Sequence, residues 1–182
     1  MNLIIFCLLV LGIDFALGAC PTVVTRAEWG AAAHKNSSTL TNPLRYAFIH
    51  HGASGECTDR ATCSAKVRSY QTLHMQVNKW DDIGYSYVIG GDGAVYEGRG
   101  WDKVGAHTKG YNSVGYGFCF IGNFMSKLPT AAALQAAKDM IACGVTLGKI
   151  QPNYTLRGHR DMVSTQCPGD TLYTEIKTWP HY

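Results

Sequence analysis

Past its first eighteen positions, this 182-residue chain has no apolar run approaching the ~18 residues that cross a bilayer. That excludes a helical membrane span in the body of the protein. Charge is sparse too: Asp, Glu, Lys and Arg make up 16% of residues, and the basic ones stand singly. Without basic blocks or interleaved aromatics a nucleic-acid partner is unsupported, and a formal charge of +3 gives only mild attraction to anionic surfaces. No Pro/Ser-rich linker, low-complexity tract or internal repeat interrupts the chain. With 46% apolar residues, it has the length and composition of one ordinary domain with its own core.

The one long apolar segment opens the chain. Leu3 to Leu11 is almost wholly apolar and leads to Ala16-Leu17-Gly18, a small-x-small cleavage pattern. This reads as a secretory signal peptide over 1–18, leaving a domain over 19–182 and a secreted, extracellular product. Asn36-Ser37-Ser38 and Asn153-Tyr154-Thr155 are then glycosylation acceptors, Asn153 standing near His159 in sequence.

Secretion makes the seven cysteines an accounting problem. Cys7 leaves with the leader. Cys57 and Cys63 flank a short polar stretch and suit a small closed loop. Cys20 at the new terminus and Cys143 in an apolar helix would staple that terminus onto the core. Cys119, within the strand-like Tyr116 to Ile121, reads as a buried free thiol. Cys167 lies among polar residues before Pro168-Gly169, so it is not a core position and needs another reason.

Ala47-Phe48-Ile49 reads as a buried strand delivering His50 and His51. Val67, Tyr70, His74 and Val77 recur at helical spacing within 61–80. Residues 85–89 and 94–96 flank Gly90-Gly91-Asp92-Gly93, a hairpin signal. Thr130 caps a helix running to about Gly148, with Leu134, Ala137, Ile141 and Val145 as its stripe. A short strand at 154–156 precedes Gly158-His159, and a last helix covers 170–179. Strands interleaved with helices predict a single α/β domain, a central mixed sheet covered by about three helices.

Two places are chemically dense: Ile49-His50-His51-Gly52, and Gly158-His159-Arg160-Asp161 running on to Cys167. Imidazole nitrogen with thiolate sulfur suits zinc, and a catalytic zinc takes three protein ligands plus a water. Neighbouring strand residues point to opposite faces, so His50 and His51 do not share one metal. Spacing leaves the choice between them open.

These residues carry a resemblance. Arg26-x-Glu28-Trp29-Gly30, Ile49-His50-His51, the Cys57/Cys63 pair and Gln71-x-x-His74-Met75 begin it. Asp82-Ile83-Gly84-Tyr85, Asp92-Gly93-x-Val95-Tyr96-Glu97-Gly98-Arg99-Gly100-Trp101 and Gly105-Ala106-His107-Thr108 continue it. Gly158-His159-Arg160-Asp161, Cys167-Pro168-Gly169 and Thr178-Trp179-Pro180-His181 close it. The whole mature chain resembles the short secreted peptidoglycan recognition proteins and, more distantly, the phage lysozyme-type zinc amidases. The resemblance implies Zn2+ on His50, His159 and Cys167, and hydrolysis of the amide joining the lactyl group of N-acetylmuramic acid to L-alanine. Relatives without this activity commonly carry serine at the cysteine. Tyr85 matches the catalytic tyrosine, and Thr165 stands where phage relatives carry a lysine. His51, His74, Lys79, Trp80, His107 and Asn112 would line the groove for peptidoglycan or muropeptides. Many relatives have Gly-Trp where this chain has Lys79-Trp80, and threonine where it has Gly52, so the stem-peptide preference stays open. A monomer acting in innate immunity is expected. The alternative is a non-catalytic receptor or bactericidal protein, for which intact His50, Tyr85, His159 and Cys167 would be unnecessary.

Overall fold

The computed structural model of the protein describes residues 20–182, so the expected leader, residues 1–18 with Cys7, lies outside the described residues. The elements in chain order are β1 (Val23–Val24), α1 (Arg26–Trp29), β2 (Leu44–His51), α2 (Arg60–Thr72), β3 (Tyr87–Ile89), β4 (Val95–Glu97), β5 (Gly115–Phe120), α3 (Ala131–Thr146), β6 (Ile150–Gly158) and α4 (Asp170–Ile176). The strands form one six-stranded sheet in the order β1-β4-β3-β5-β2-β6. Only β3 and β4 pair antiparallel, joined by the Gly90–Gly93 turn; every other neighbour pair is parallel. The mixed sheet expected from the sequence is present, and a one-turn α1 joins the three longer helices.

Period-two alternation sorts the central strands into two faces. Ala47 and Ile49 of β2 and Phe118 and Phe120 of β5 point into a core with Met140 and Ile141 of α3 and Leu172 of α4. Cys119, Val88 and Tyr96 point the other way, towards Val67 and Tyr70 of α2. His50 pairs with Cys119 across β2 and β5, which sets it on the α2 side. His51, one residue on, turns to the α3 side. The alternation that kept the two histidines apart in the sequence therefore also separates them in space.

Capping fixes where the helices begin. Asp59 Oδ1 accepts from Thr62 N–H at 2.9 Å at the start of α2, and Thr130 Oγ1 accepts from Ala133 N–H at 3.1 Å at the start of α3. The α3 stripe is buried at Ala137 and Ile141 and half-buried at Leu134 and Val145.

Several boundaries differ from expectation. The helix predicted over 61–80 leaves α geometry at Thr72 and continues as a π turn over Leu73–Val77. The wider turn shifts the facing of later residues. His74 and Met75 are consequently both buried, whereas Val77, expected on the inward stripe, is 67% exposed. The last helix stops at Ile176 instead of 179, and β6 is longer than the predicted 154–156. Asn36 and Asn153 are both exposed. Asn153 lies five residues before Gly158 on the extended β6, about 17 Å along the strand, so it is farther from His159 than sequence proximity implied.

Two disulfides tie the domain, Cys20–Cys143 and Cys57–Cys63. The first bridges positions 123 apart. A loop of that size removes about 4–5 kcal/mol of unfolded-state entropy in the chain-entropy treatment. Cys20→Ala with Cys143→Ala is expected to lower the melting temperature by about 10–20 °C in calorimetry. A drop of only a degree or two would show that the bridge constrains little.

Candidate metal centre

β2 and β6 run parallel, and Ile49 is level with Gly158. Parallel pairing thus brings His50 at the end of β2 beside His159, the first residue after β6. Their rings lie 4.4 Å apart between centroids. The loop after His159 then returns Cys167 to the same point. One ligand atom from each of His50, His159 and Cys167 lies within 4.8 Å of the others. This is the one such cluster of three among the described residues.

The return of Cys167 is held by contacts that sequence reasoning missed. Arg160 N–H donates to the Cys167 carbonyl at 3.0 Å, and its guanidinium reaches the Gln166 carbonyl and pairs with Asp170 at 2.7 Å. Asp161 accepts from Gly158 N–H at 2.7 Å and from the Tyr173 hydroxyl at 2.6 Å, fixing the turn that carries His159. Both residues stand inside the motif that supplies the ligands. That was the available signal, though nothing in their identity showed which backbone they would hold.

The donor atoms face one another. Cys167 Sγ lies 3.7 Å from His50 Nδ1 and accepts from His51 N–H at 3.3 Å. Burial pushes the Cys167 thiol up to about 12, against the His51 N–H and Arg160, which pull it down. Burial lowers both His50 and His159, and His50, also facing His159 and His107, lies well below the usual imidazole value. The imidazoles are therefore neutral, with lone pairs free to coordinate.

Tyr85 stands over this group, its ring 5.4 Å from that of His50 and 5.5 Å from that of His74. Burial, and then the Cys119 and Cys167 sulfurs, raise its hydroxyl well above the ordinary phenol value, so it keeps its proton at neutral pH. Thr165 is exposed, and its Oγ1 accepts from Cys167 N–H at 3.2 Å, a local loop-capping bond. His51, Tyr85, His159, Thr165 and Cys167 line an open cleft of about 400 Å³. A separate cavity of about 250 Å³ shares no lining residue with it; there Arg26 and Asp82 are already paired at 2.9 Å.

The residues expected to bind substrate fall into different situations. His51 is buried and its Nδ1 accepts from Phe124 N–H at 3.3 Å, with burial lowering its pKa to about 4. His74 Nδ1 accepts from Gly84 N–H at 2.9 Å, and its ring lies 4.7 Å from Trp80, which is 36% exposed. His107 is buried, its pKa lowered to about 3 chiefly by desolvation. Asn112 Oδ1 accepts from both His107 N–H and Thr108 N–H, at 2.9 and 2.8 Å, so its carbonyl is committed to the loop. Lys79 is exposed and does not line the cleft. Its φ of 62° is a left-handed conformation that costs a side chain about 1–2 kcal/mol and that glycine adopts freely. Gly52 has a steric cause as well: a Cβ there would meet the Tyr70 hydroxyl at 1.8 Å. That hydroxyl bonds Ser54 Oγ at 2.5 Å.

A mixed α/β domain that brings two histidines and a cysteine together at parallel strand ends carries the donor set of a zinc site. A family profile described as N-acetylmuramoyl-L-alanine amidase matches residues 40–170. The chain belongs to this amidase family, which it shares with the peptidoglycan recognition proteins. It is 46% identical to peptidoglycan-recognition protein SA of Drosophila melanogaster over 163 residues, covering 90% of this chain and 80% of that one. It is 48% identical to N-acetylmuramoyl-L-alanine amidase of Sus scrofa, covering 90% of this chain but spanning only 28% of the length of that relative. Among solved structures it matches peptidoglycan recognition protein-LE in complex with tracheal cytotoxin, described as monomeric diaminopimelic acid-type peptidoglycan. That match has a TM-score of 0.87 and 42% identity, and covers 88% of this chain and 95% of that one.

Proposed function

We propose that this chain is a secreted, zinc-dependent N-acetylmuramoyl-L-alanine amidase that binds bacterial peptidoglycan and hydrolyses the lactyl–L-alanine amide in innate immunity. The observation that carries it is the convergence of His50, His159 and Cys167 donor atoms within 4.8 Å, beside Tyr85 in an open cleft. Two imidazole nitrogens and one sulfur are a zinc set, and three protein ligands are the count of a catalytic site. When bound, zinc supplies a water of lowered pKa and polarises the scissile carbonyl.

The rest is the work of the chain's own residues. Burial keeps His50 and His159 neutral, the form that ligates. The His51 N–H bond to Cys167 Sγ orients the sulfur. Tyr85, protonated, donates its O–H to the carbonyl oxygen as charge builds there. Thr165 Oγ1 accepts from Cys167 N–H and keeps its own proton to orient the amide or water. The close, tilted His74–Trp80 pair gives a sugar or alanyl methyl an apolar wall. The neighbouring complex of the LE protein supports a muropeptide as the ligand, and the two disulfides suit an extracellular product.

The test is to incubate the protein with purified peptidoglycan and zinc and follow free stem peptides by mass spectrometry. Peptides with a free L-alanyl amine are expected, a chelator abolishes them, and the protein holds about one zinc that His159→Ala loses. Tight binding of peptidoglycan by zinc-loaded protein with no freed amine would leave the non-catalytic receptor in its place.

A further inference from the structure

Thr108 is wholly buried, and its hydroxyl stands between two imidazoles. Oγ1 is 3.2 Å from His50 Nε2 and 3.0 Å from His107 Nδ1. A threonine hydroxyl accepts on its lone pairs but has one proton to donate. Accepting from one imidazole therefore leaves its single proton free to go to the other. At the His50 end, Nδ1 faces Cys167 Sγ at 3.7 Å. If Nδ1 is the ligand atom, as the proposed zinc site requires, a neutral His50 carries its proton on Nε2. That N–H donates to Thr108 Oγ1, which leaves the threonine proton available to His107 Nδ1, its other neighbour at 3.0 Å; with that bond made, His107 accepts on Nδ1. His107 is left with its proton on Nε2, a buried atom with no hydrogen-bond partner among the described residues and with the Gly105 backbone beside it.

We propose that Thr108 is a positioning residue: it holds ligand His50 by accepting from Nε2–H and passes that polarity to His107, fixing the Nε2–H tautomer there. The inference rests on the proposed zinc site and goes beyond it, because it makes the tautomer of a groove histidine depend on the ligand shell. Metal-ligating histidines are commonly anchored through their second nitrogen, and losing that anchor costs ~10–100-fold in metal affinity. The competing arrangement turns a His107 Nδ1–H towards the Gly115 carbonyl, which faces the same ring.

Long-range 15N–1H spectra of the zinc-loaded, 15N-labelled full chain read both tautomers directly. The expected result is an unprotonated Nδ1 and a protonated Nε2 on His107. Thr108→Val, of matching shape, is expected to lose that fixed tautomer and weaken zinc about tenfold or more in chelator competition. Thr108→Ser, which restores the hydroxyl, retains both. A His107 Nδ1–H signal in the zinc-loaded wild type overturns the inference without any variant. So does a Thr108→Val protein with unchanged tautomer and zinc affinity. Either failure leaves the zinc site standing, whereas a wild-type protein that binds no zinc removes the proposed function and this inference with it.

Discussion

Cys167→Ser is expected to abolish stem-peptide release, by at least ~10³-fold, while the protein stays folded and still binds peptidoglycan. In the proposed site the metal would contribute several kcal/mol of transition-state stabilisation, and each 1.36 kcal/mol is a factor of ten in rate. Serine in place of the sulfur offers zinc a poor neutral oxygen where a soft thiolate belongs. Stability should change little. Cys167 is free and only half-buried, on a loop held mainly by Arg160. Binding is expected to survive because the His74–Trp80 pair, proposed as a wall for the ligand, sits on the π turn and the segment after it and not on the Cys167 loop. Zinc content, amine release and peptidoglycan pull-down are measured on the same preparation. Release above about a tenth of the wild-type rate would show that Cys167 is not a ligand.

Much of this site was legible because its parts are local. A strand ending in His50-His51 and a loop carrying His159 and Cys167 are visible as motifs, and period-two alternation alone kept the histidines from sharing a metal. The parallel pairing of β2 with β6 was not visible. It depends on which strands meet, and it is what places Ile49 level with Gly158. The π turn escaped for a related reason. The helical period of Val67, Tyr70 and His74 runs on to Val77, and only the docking of His74 Nδ1 on Gly84 N–H shows the register broken. Thr108 stands within the Gly105-Ala106-His107-Thr108 motif, where its sequence position suggests no role. Its hydroxyl acquires one only when His50, fifty-eight positions away, arrives at 3.2 Å. Asn112, expected to line the groove, also has a local role: its Oδ1 accepts from the backbone N–H groups of His107 and Thr108. A short polar residue in a Gly-bounded loop fits either role, and sequence does not separate them.

Tyr85→Phe separates catalysis from metal binding in a way that Cys167→Ser does not. The substitution removes one hydroxyl and leaves the ring, whose centroid lies 5.4 Å from that of His50 and 5.5 Å from that of His74. Zinc content and peptidoglycan affinity are therefore expected to match the wild type. Turnover is expected to fall ~10²–10³-fold, the cost of deleting one donor aimed at a developing oxyanion. The loss should appear in kcat with KM nearly unchanged, because an interaction made only in the transition state does not contribute to ground-state binding. Burial raises the Tyr85 hydroxyl well above its usual value. Its deprotonation therefore adds no limb to the pH–rate profile near neutrality, and the phenylalanine variant should keep the wild-type profile at a lower height. A variant that turns over normally would reduce Tyr85 to a wall of the cleft. A variant that loses zinc would place the tyrosine in support of the ligands, not at the carbonyl.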